Sequence, residues 1–229
     1  QITDNFGKGS VMKLGEKRAM DIESVMRSLT FDGWATFDSS VVHPDVVIEN
    51  LGYIIMENDV SIDVESKSLV RSSKALPPHT DHHAVEYILW HCHEQDVRGG
   101  ESILVDGIEV FKRQSQADRE ILKSILLMEH CVFEGDLTHH PMVFEDRDNL
   151  SLYYSFWMAE GLSELQRNAF DRFTKSVMES EPKKFKLPQN WCLVINNRRI
   201  FHGRTALSDN SNRFLKRYWI SSSKHKKLA

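Results

Sequence analysis

Apolar residues first recur at helical spacing: Ile22, Val25, Met26 and Leu29 share one face and predict a helix over residues 17–29. The pattern then changes to short runs rich in aromatic and branched side chains, which predict strands over 33–37 and 52–56. Pro77-Pro78 imposes an extended backbone and ends any helix before His79. Strands are predicted over 84–94 and 102–105, after which Asp106-Gly107 leads into a helix over 108–127. Three more strands are predicted over 128–134, 141–145 and 150–156. A helix over 163–180 opens with Ser163 and Gln166 at capping-box spacing and turns Leu165, Phe170, Phe173 and Val177 inward. Strands over 191–195, 198–201 and 213–221 close the chain.

Roughly ten strands against two or three helices predict a mainly β fold with flanking helices, a jelly-roll barrel with the helices packed outside. The helices interrupt the strands rather than alternating with them, which argues against a parallel α/β sheet. No repeat, low-complexity block or long linker divides the sequence, so residues 1–229 read as one domain, its N-terminal helix packed on the barrel.

Composition narrows the partners. Of 229 residues, 41% are apolar and 27% charged, as in ordinary globular proteins, and the formal net charge is −4. The basic run Lys224-His225-Lys226-Lys227 reads as a solvated tail, so no nucleic-acid partner is expected. No apolar stretch approaches the ~18 residues of a membrane span and no signal peptide is visible, so no membrane partner is expected either. Three widely spaced cysteines, Cys92, Cys131 and Cys192, fit a reducing cytoplasm rather than a disulfide framework. The expected partner is a small-molecule substrate. Oligomeric state is not legible.

The chemistry concentrates in His79-Thr80-Asp81, Gly99-Gly100-Glu101-Ser102, and His202 followed by Arg213. Residues i and i+2 of an extended strand point to one side, so His79 and Asp81 can reach one metal ion. A third ligand from a distant strand makes two imidazoles and one carboxylate, a facial set that leaves coordination positions open and marks non-haem Fe(II) oxygenases. H-x-D alone is weak among 11 His and 33 acidic residues; its ordered context, from Leu76-Pro77-Pro78 to Asn197 through Arg204, strengthens it. Two rivals use the same residues: a zinc hydrolase with a metal-bound water, and a non-enzymatic barrel that binds a metal or ligand. The hydrolase leaves Arg213 and the Gly-Gly-Glu-Ser segment without a role. His91 and His93 share a strand face but have no evident third ligand and read as hydrogen-bonded strand residues, while His139-His140 reads as an exposed loop.

His79-Thr80-Asp81, Trp90 through Gln95, and Gly99 through Gly107 resemble the γ-butyrobetaine and trimethyllysine hydroxylases and, more broadly, the taurine dioxygenase family. Asn197 through Arg204 and Arg213-Phe214-Leu215 resemble that family's second-His and co-substrate Arg motifs. The resemblance implies a double-stranded β-helix, with Fe(II) held by His79, Asp81 and His202. It implies 2-oxoglutarate chelating the iron, its distal carboxylate on Arg213, whose planar fork suits a carboxylate, and supported by the Ser102 hydroxyl. O₂ then oxidises the substrate, most often by hydroxylation, with release of succinate and CO₂. The family's halogenases lack the carboxylate ligand, so Asp81 argues against halogenation.

In the betaine hydroxylases aromatic residues follow H-x-D directly; here His82-His83-Ala84 stand there, which speaks against a trimethylammonium substrate. Tyr153, Trp157 and His82 remain candidates to line the substrate pocket. Arg217 lies four residues beyond Arg213, on the same strand face. In the taurine dioxygenase branch an Arg at this offset meets the anionic end of the substrate, which implies a small carboxylate, sulfonate or phosphonate, including amino acids.

Overall fold

Antiparallel pairing organises a computed structural model that describes residues 21–63, 69–129, 131–146, 149–208 and 210–222. The described chain runs α1 (Ile22–Asp32), β1 (Trp34–Asp38), α2 (Pro44–Leu51), β2 (Tyr53–Val60), β3 (Leu76–His79), β4 (Tyr87–Glu94) and β5 (Ser102–Asp106). It continues through α3 (Gly107–Lys112), α4 (Gln116–Lys123), β6 (Leu126–Met128), β7 (His139–Pro141), β8 (Val143–Asp146) and β9 (Asn149–Leu152). The last elements are α5 (Glu164–Glu179), β10 (Lys183–Phe185), β11 (Trp191–Asn196), β12 (Ile200–Arg204) and β13 (Phe214–Ser221). One sheet has the order β1-β11-β4-β13-β2 and the other β10-β5-β12-β3, with two small hairpins, β6-β7 and β8-β9, beside them.

Period-two alternation explains how the layers stack. Ile88 and Trp90 of β4, Leu193 and Ile195 of β11 and Leu215 of β13 pack with Leu104 and Ile200 of the second sheet, filling the space between the sheets. The intervening residues Leu89, Val194 and Ile220 turn outward onto Val25 and Leu29 of α1 and Val47 and Ile48 of α2. On the far side, Val105 and Phe201 meet Phe111, Leu122, Phe170 and Phe173 from α3, α4 and α5. Helices thus cover both outer faces, leaving the inner faces to converge on the ligands.

Local chemistry corrects several boundaries. Residues 17–20 of the predicted first helix lie outside the described residues; α1 starts after Asp21, whose side chain accepts from the Ser24 amide, and ends on Gly33 at φ 80°. The predicted helix over 108–127 is two, because Ser115 caps a new helix by accepting from the Asp118 amide. Its last residues become β6, and of the predicted strand over 128–134 only Met128 is in a strand among the described residues. The helix α2 was not predicted: His43 is an unusual cap, although Pro44 stands at the first helical position where its missing N–H costs nothing. The capping box of Ser163 and Gln166 is present in α5. Phe170, Phe173 and Val177 are buried, but Leu165 in the first turn is 62% exposed. β3 carries Pro77 and Pro78 on a sheet edge, where a missing donor is tolerated. His139-His140 is not a loop but β7, and the His140 ring stacks on His83 with centroids 4.1 Å apart. His91 faces His93 at 4.3 Å and bonds the Ser39 hydroxyl at 3.2 Å, in keeping with a strand role.

Gly203 lets β12 approach β3. A Cβ there would lie 2.3 Å from the Leu76 carbonyl oxygen and 3.0 Å from the Pro77 carbonyl carbon. Gly203→Ala is therefore expected to destabilise by about 1–3 kcal/mol, a fall of several degrees in Tm. It should also loosen metal retention, since His79 and His202 ride on these two strands. Thermal unfolding and metal content together check this; wild-type values in both would mean that the strands absorb the methyl group.

Candidate metal centre and adjoining cavities

Strand register places the two histidines. His202 on β12 is the direct partner of His79 at the end of β3. Asp81, two residues on, folds back so that its Oδ1 lies 3.6 Å from Nε2 of His79 and 3.6 Å from Nε2 of His202. These separations are too long for hydrogen bonds, and the three groups lie close enough together to hold one ion. His79 Nδ1 is 2.9 Å from the Pro77 carbonyl, to which it donates, so Nε2 presents its lone pair. Burial, then the neighbouring His79, brings the His202 imidazole down to about 4, so it is neutral and ligand-ready at physiological pH. His202 Nδ1 is buried without a hydrogen-bond partner among the described residues.

The other carboxylate oxygen of Asp81 is held separately. Oδ2 accepts from Arg217 Nη1 at 2.9 Å and from Trp219 Nε1 at 2.7 Å. Burial by itself pushes the Asp81 carboxyl up, but Arg217 and the contacts from His202 and His79 outweigh it and hold the group well below the usual carboxylate range. The Asp81 amide donates to Asn197 Oδ1 at 2.9 Å, and Asn197 Nδ2 donates to the Val85 carbonyl at 2.9 Å. Thr80 is tied to Tyr154 in both directions, N to O at 2.7 Å and Oγ1 from N at 2.8 Å.

Two cavities meet at this centre. His79, His202, Ser102, Arg204, Arg213 and Arg217 line the first, between walls of leucine. The second, of about 440 Å³, is lined by His79, Asp81, His82, Tyr153, Trp157 and Arg217 with further apolar residues. Arg213 is buried; burial and the neighbouring Arg204 bring its guanidinium down to about 10, so it remains charged. No carboxylate forms an ion pair with it among the described residues.

Residues 23–219 match the family described as taurine catabolism dioxygenase TauD, TfdA family. The chain belongs to the TauD/TfdA family. No curated protein matches it in sequence. An asparagine oxygenase structure with Fe(II), (2S,3S)-3-hydroxyasparagine and succinate is similar at TM-score 0.71 and 15% identity, over 88% of this chain and 79% of that one. A mutant of the non-haem iron oxygenase OrfP with (3S)-hydroxy-L-Arg is similar at TM-score 0.68 and 16% identity, over 88% and 79%. OrfP with Fe and α-ketoglutaric acid is similar at 0.58 and 19%, over 73% and 57%. This TauD/TfdA chain is a non-haem oxygenase dependent on Fe(II) and 2-oxoglutarate. The hydrolase and non-enzymatic readings are set aside.

Within this TauD/TfdA enzyme the structure brings every predicted site residue to the wall of one of the two cavities. Trp157 lies beside His79, ring centroids 5.2 Å apart, and the Tyr153 hydroxyl donates to the Met128 carbonyl at 3.2 Å. His82 lines the second cavity with both ring nitrogens engaged: its Nδ1 accepts the Ala84 amide at 3.1 Å, and its Nε2 lies 3.0 Å from Asp136 and 3.4 Å from Glu129. His83 pairs with the same Glu129. His82, His83 and Glu129 thus bring three potential metal ligands together. With Nδ1 accepting, however, His82 Nε2 carries the proton and is a donor to carboxylate, not a free ligand. Sequence reasoning gave no role to Asn197, Glu129 or Asp136. Their partners lie far away in sequence, and only Asn197 stood within a quoted motif.

Alanine at His79, Asp81 or His202 is expected to abolish iron retention and succinate release with the fold largely intact. Iron per chain and circular dichroism check this. Near-wild-type succinate release from any one variant would remove that residue from the ligand set.

Proposed function

We propose that this enzyme uses His79, Asp81 and His202 to hold Fe(II), and Arg213 with Ser102 to hold 2-oxoglutarate, in order to hydroxylate an unactivated C–H of a small, anionic or amino-acid-like metabolite. The carrying observation is that the two imidazoles equidistant from Asp81 Oδ1 also line the cavity of Arg213 and Ser102. Bound iron and co-substrate supply the oxidative chemistry. The chain's own part is to fix the ligands, pair the distal carboxylate with a buried guanidinium, and exclude water behind the leucine wall. We read the two sheets as halves of one jelly-roll, a double-stranded β-helix, forming a single oxygenase domain. The free cysteines Cys92, Cys131 and Cys192 support a reducing compartment such as the cytoplasm.

Arg217 supports the anionic end of the substrate. Its Nε donates to Asn58 Oδ1 at 2.9 Å and its Nη1 to Asp81, while Nη2 makes no hydrogen bond among the described residues and the side chain lines both cavities. The hydroxylated amino acids in the asparagine oxygenase and OrfP structures support an amino-acid-like substrate. In motif, residues 90–95 and 99–107 support a place nearest the γ-butyrobetaine and trimethyllysine hydroxylases, while His82-His83-Ala84 speaks against a quaternary ammonium substrate.

Anaerobic titration with Fe(II) and 2-oxoglutarate tests the reading without knowledge of the substrate. A visible charge-transfer band is expected only when both are bound, and its absence would sink the chelate. Arg213→Ala is expected to raise the 2-oxoglutarate requirement by orders of magnitude with little change in iron binding, since removing one partner of a desolvated pair costs about 3–5 kcal/mol. An unchanged requirement would move the role to another arginine.

Arg217→Met is expected to raise KM for the true substrate about 10²-fold at saturating iron, with the 2-oxoglutarate requirement nearly unchanged. Iron content must be measured alongside, because this side chain also holds Asp81. Equal substrate kinetics in variant and wild type would remove the argument for an anionic substrate.

A further inference from the structure

We infer that Gln95 is a positioning residue for Arg213 and thereby sets the affinity of the first cavity for the distal carboxylate of 2-oxoglutarate. The inference rests on the assignment of Arg213 proposed above. Gln95 follows β4, and its amide orientation is fixed from behind: Nε2 donates to the Leu187 carbonyl at 2.8 Å, so the other end is the oxygen. Oε1 then accepts from the Asp96 amide at 3.0 Å and from Arg213 Nε at 3.2 Å. An acceptor on Nε fixes the plane of the guanidinium and leaves both terminal nitrogens for a bidentate carboxylate.

The residue type matters as much as the contact. A neutral amide orients the guanidinium without cancelling its charge. A carboxylate in the same place would pair with Arg213 and repel a dianionic ligand.

The surrounding turn is built to fit this contact. Gly100 has φ +73°, and a Cβ there would come 3.0 Å from Gln95 Oε1 and 3.1 Å from Arg213 Cδ. Gly99 is as constrained, since a Cβ would fall 1.9 Å from the Ala206 carbonyl oxygen. Asp96 locks the turn from outside, accepting from the amides of Arg98 at 2.8 Å, Gly99 at 2.5 Å and Ser208 at 3.0 Å. The Gly-Gly pair is thus more than a hairpin: Gly99 lets the turn close on Ala206, and the missing side chain of Gly100 leaves the space in which Gln95 meets Arg213.

The test is anaerobic calorimetry on Fe(II)-loaded wild type, Gln95→Met, Gln95→Glu and Arg213→Ala. Two ligands are compared, 2-oxoglutarate and 2-oxopentanoate, which shares the chelating end but has no distal carboxylate. Gln95→Met is expected to raise Kd for 2-oxoglutarate about 10-fold or more, as for loss of a hydrogen bond to a charged group, and to leave 2-oxopentanoate unchanged. Gln95→Glu should raise it at least as far, and it carries the test alone if Gln95→Met does not fold. An equal loss for both ligands would reduce Gln95 to a structural residue and overturn the inference. Wild-type 2-oxoglutarate affinity in the Gln95 variants, beside a large loss in Arg213→Ala, would overturn the positioning role alone. Wild-type affinity in Arg213→Ala would overturn the assignment beneath it.

Discussion

A buried carboxylate with its two oxygens put to different uses is the constraint on which the site depends. Taking Asp81 out of water costs several kcal/mol unless its charge is matched. Arg217 and Trp219 meet that cost at Oδ2, leaving Oδ1 to face the two imidazoles across the candidate metal position. With Oδ2 engaged by two donors, Oδ1 is the oxygen that Asp81 would offer to a metal held by His79 and His202. A site with one carboxylate oxygen and two imidazoles would leave room for further ligands. Asn197 fixes the Asp81 backbone from the opposite side, so neither end of the residue is free to rotate the carboxylate away.

Sheet geometry makes this economical in chain. β12 and β3, paired at His202 and His79, carry the imidazoles, while β13 faces them from the other sheet. Positions 213, 215, 217 and 219 follow one inner row, and they are the arginine proposed for the co-substrate, a core leucine, and the two donors to Asp81. A one-residue slip of β13 would exchange this row for Phe214, Lys216 and Tyr218. The apolar positions that hold the register, Leu215 inward and Ile220 outward, therefore also hold the chemistry.

What was legible in the sequence was local. Helix α5 could be read because its cap and its apolar stripe lie within one turn of each other, and the H-x-D segment because i and i+2 need only an extended backbone. The break between α3 and α4 was hidden by apolar residues that continue at helical spacing across it; only Ser115 marks the new start. Leu165 misled because the first turn of an amphipathic helix can carry an apolar residue on its wet side. Arg217 was correctly placed on the inner face with Arg213, but its partner Asp81 lies 136 positions away and no periodicity encodes that pair. Likewise Gln95 stood in a quoted motif, yet its contact with Arg213 spans 118 positions and needed the fold to appear.

The double engagement of Arg217 links the two halves of the proposed reaction site. Its three guanidinium nitrogens are divided: Nε goes to Asn58, Nη1 to Asp81, and Nη2 makes no hydrogen bond among the described residues, on a side chain that lines both cavities. An anionic substrate on Nη2 would draw on the same positive charge that steadies Asp81. Its binding would thus weaken the hold on Oδ2 just as the substrate reaches the metal side. The two interactions are not additive, because they share one cation and lie within direct contact of each other. Trp219 limits the consequence: its indole N–H is the shorter of the two bonds to Oδ2, carries no charge to share, and keeps Asp81 oriented whatever occupies the arginine.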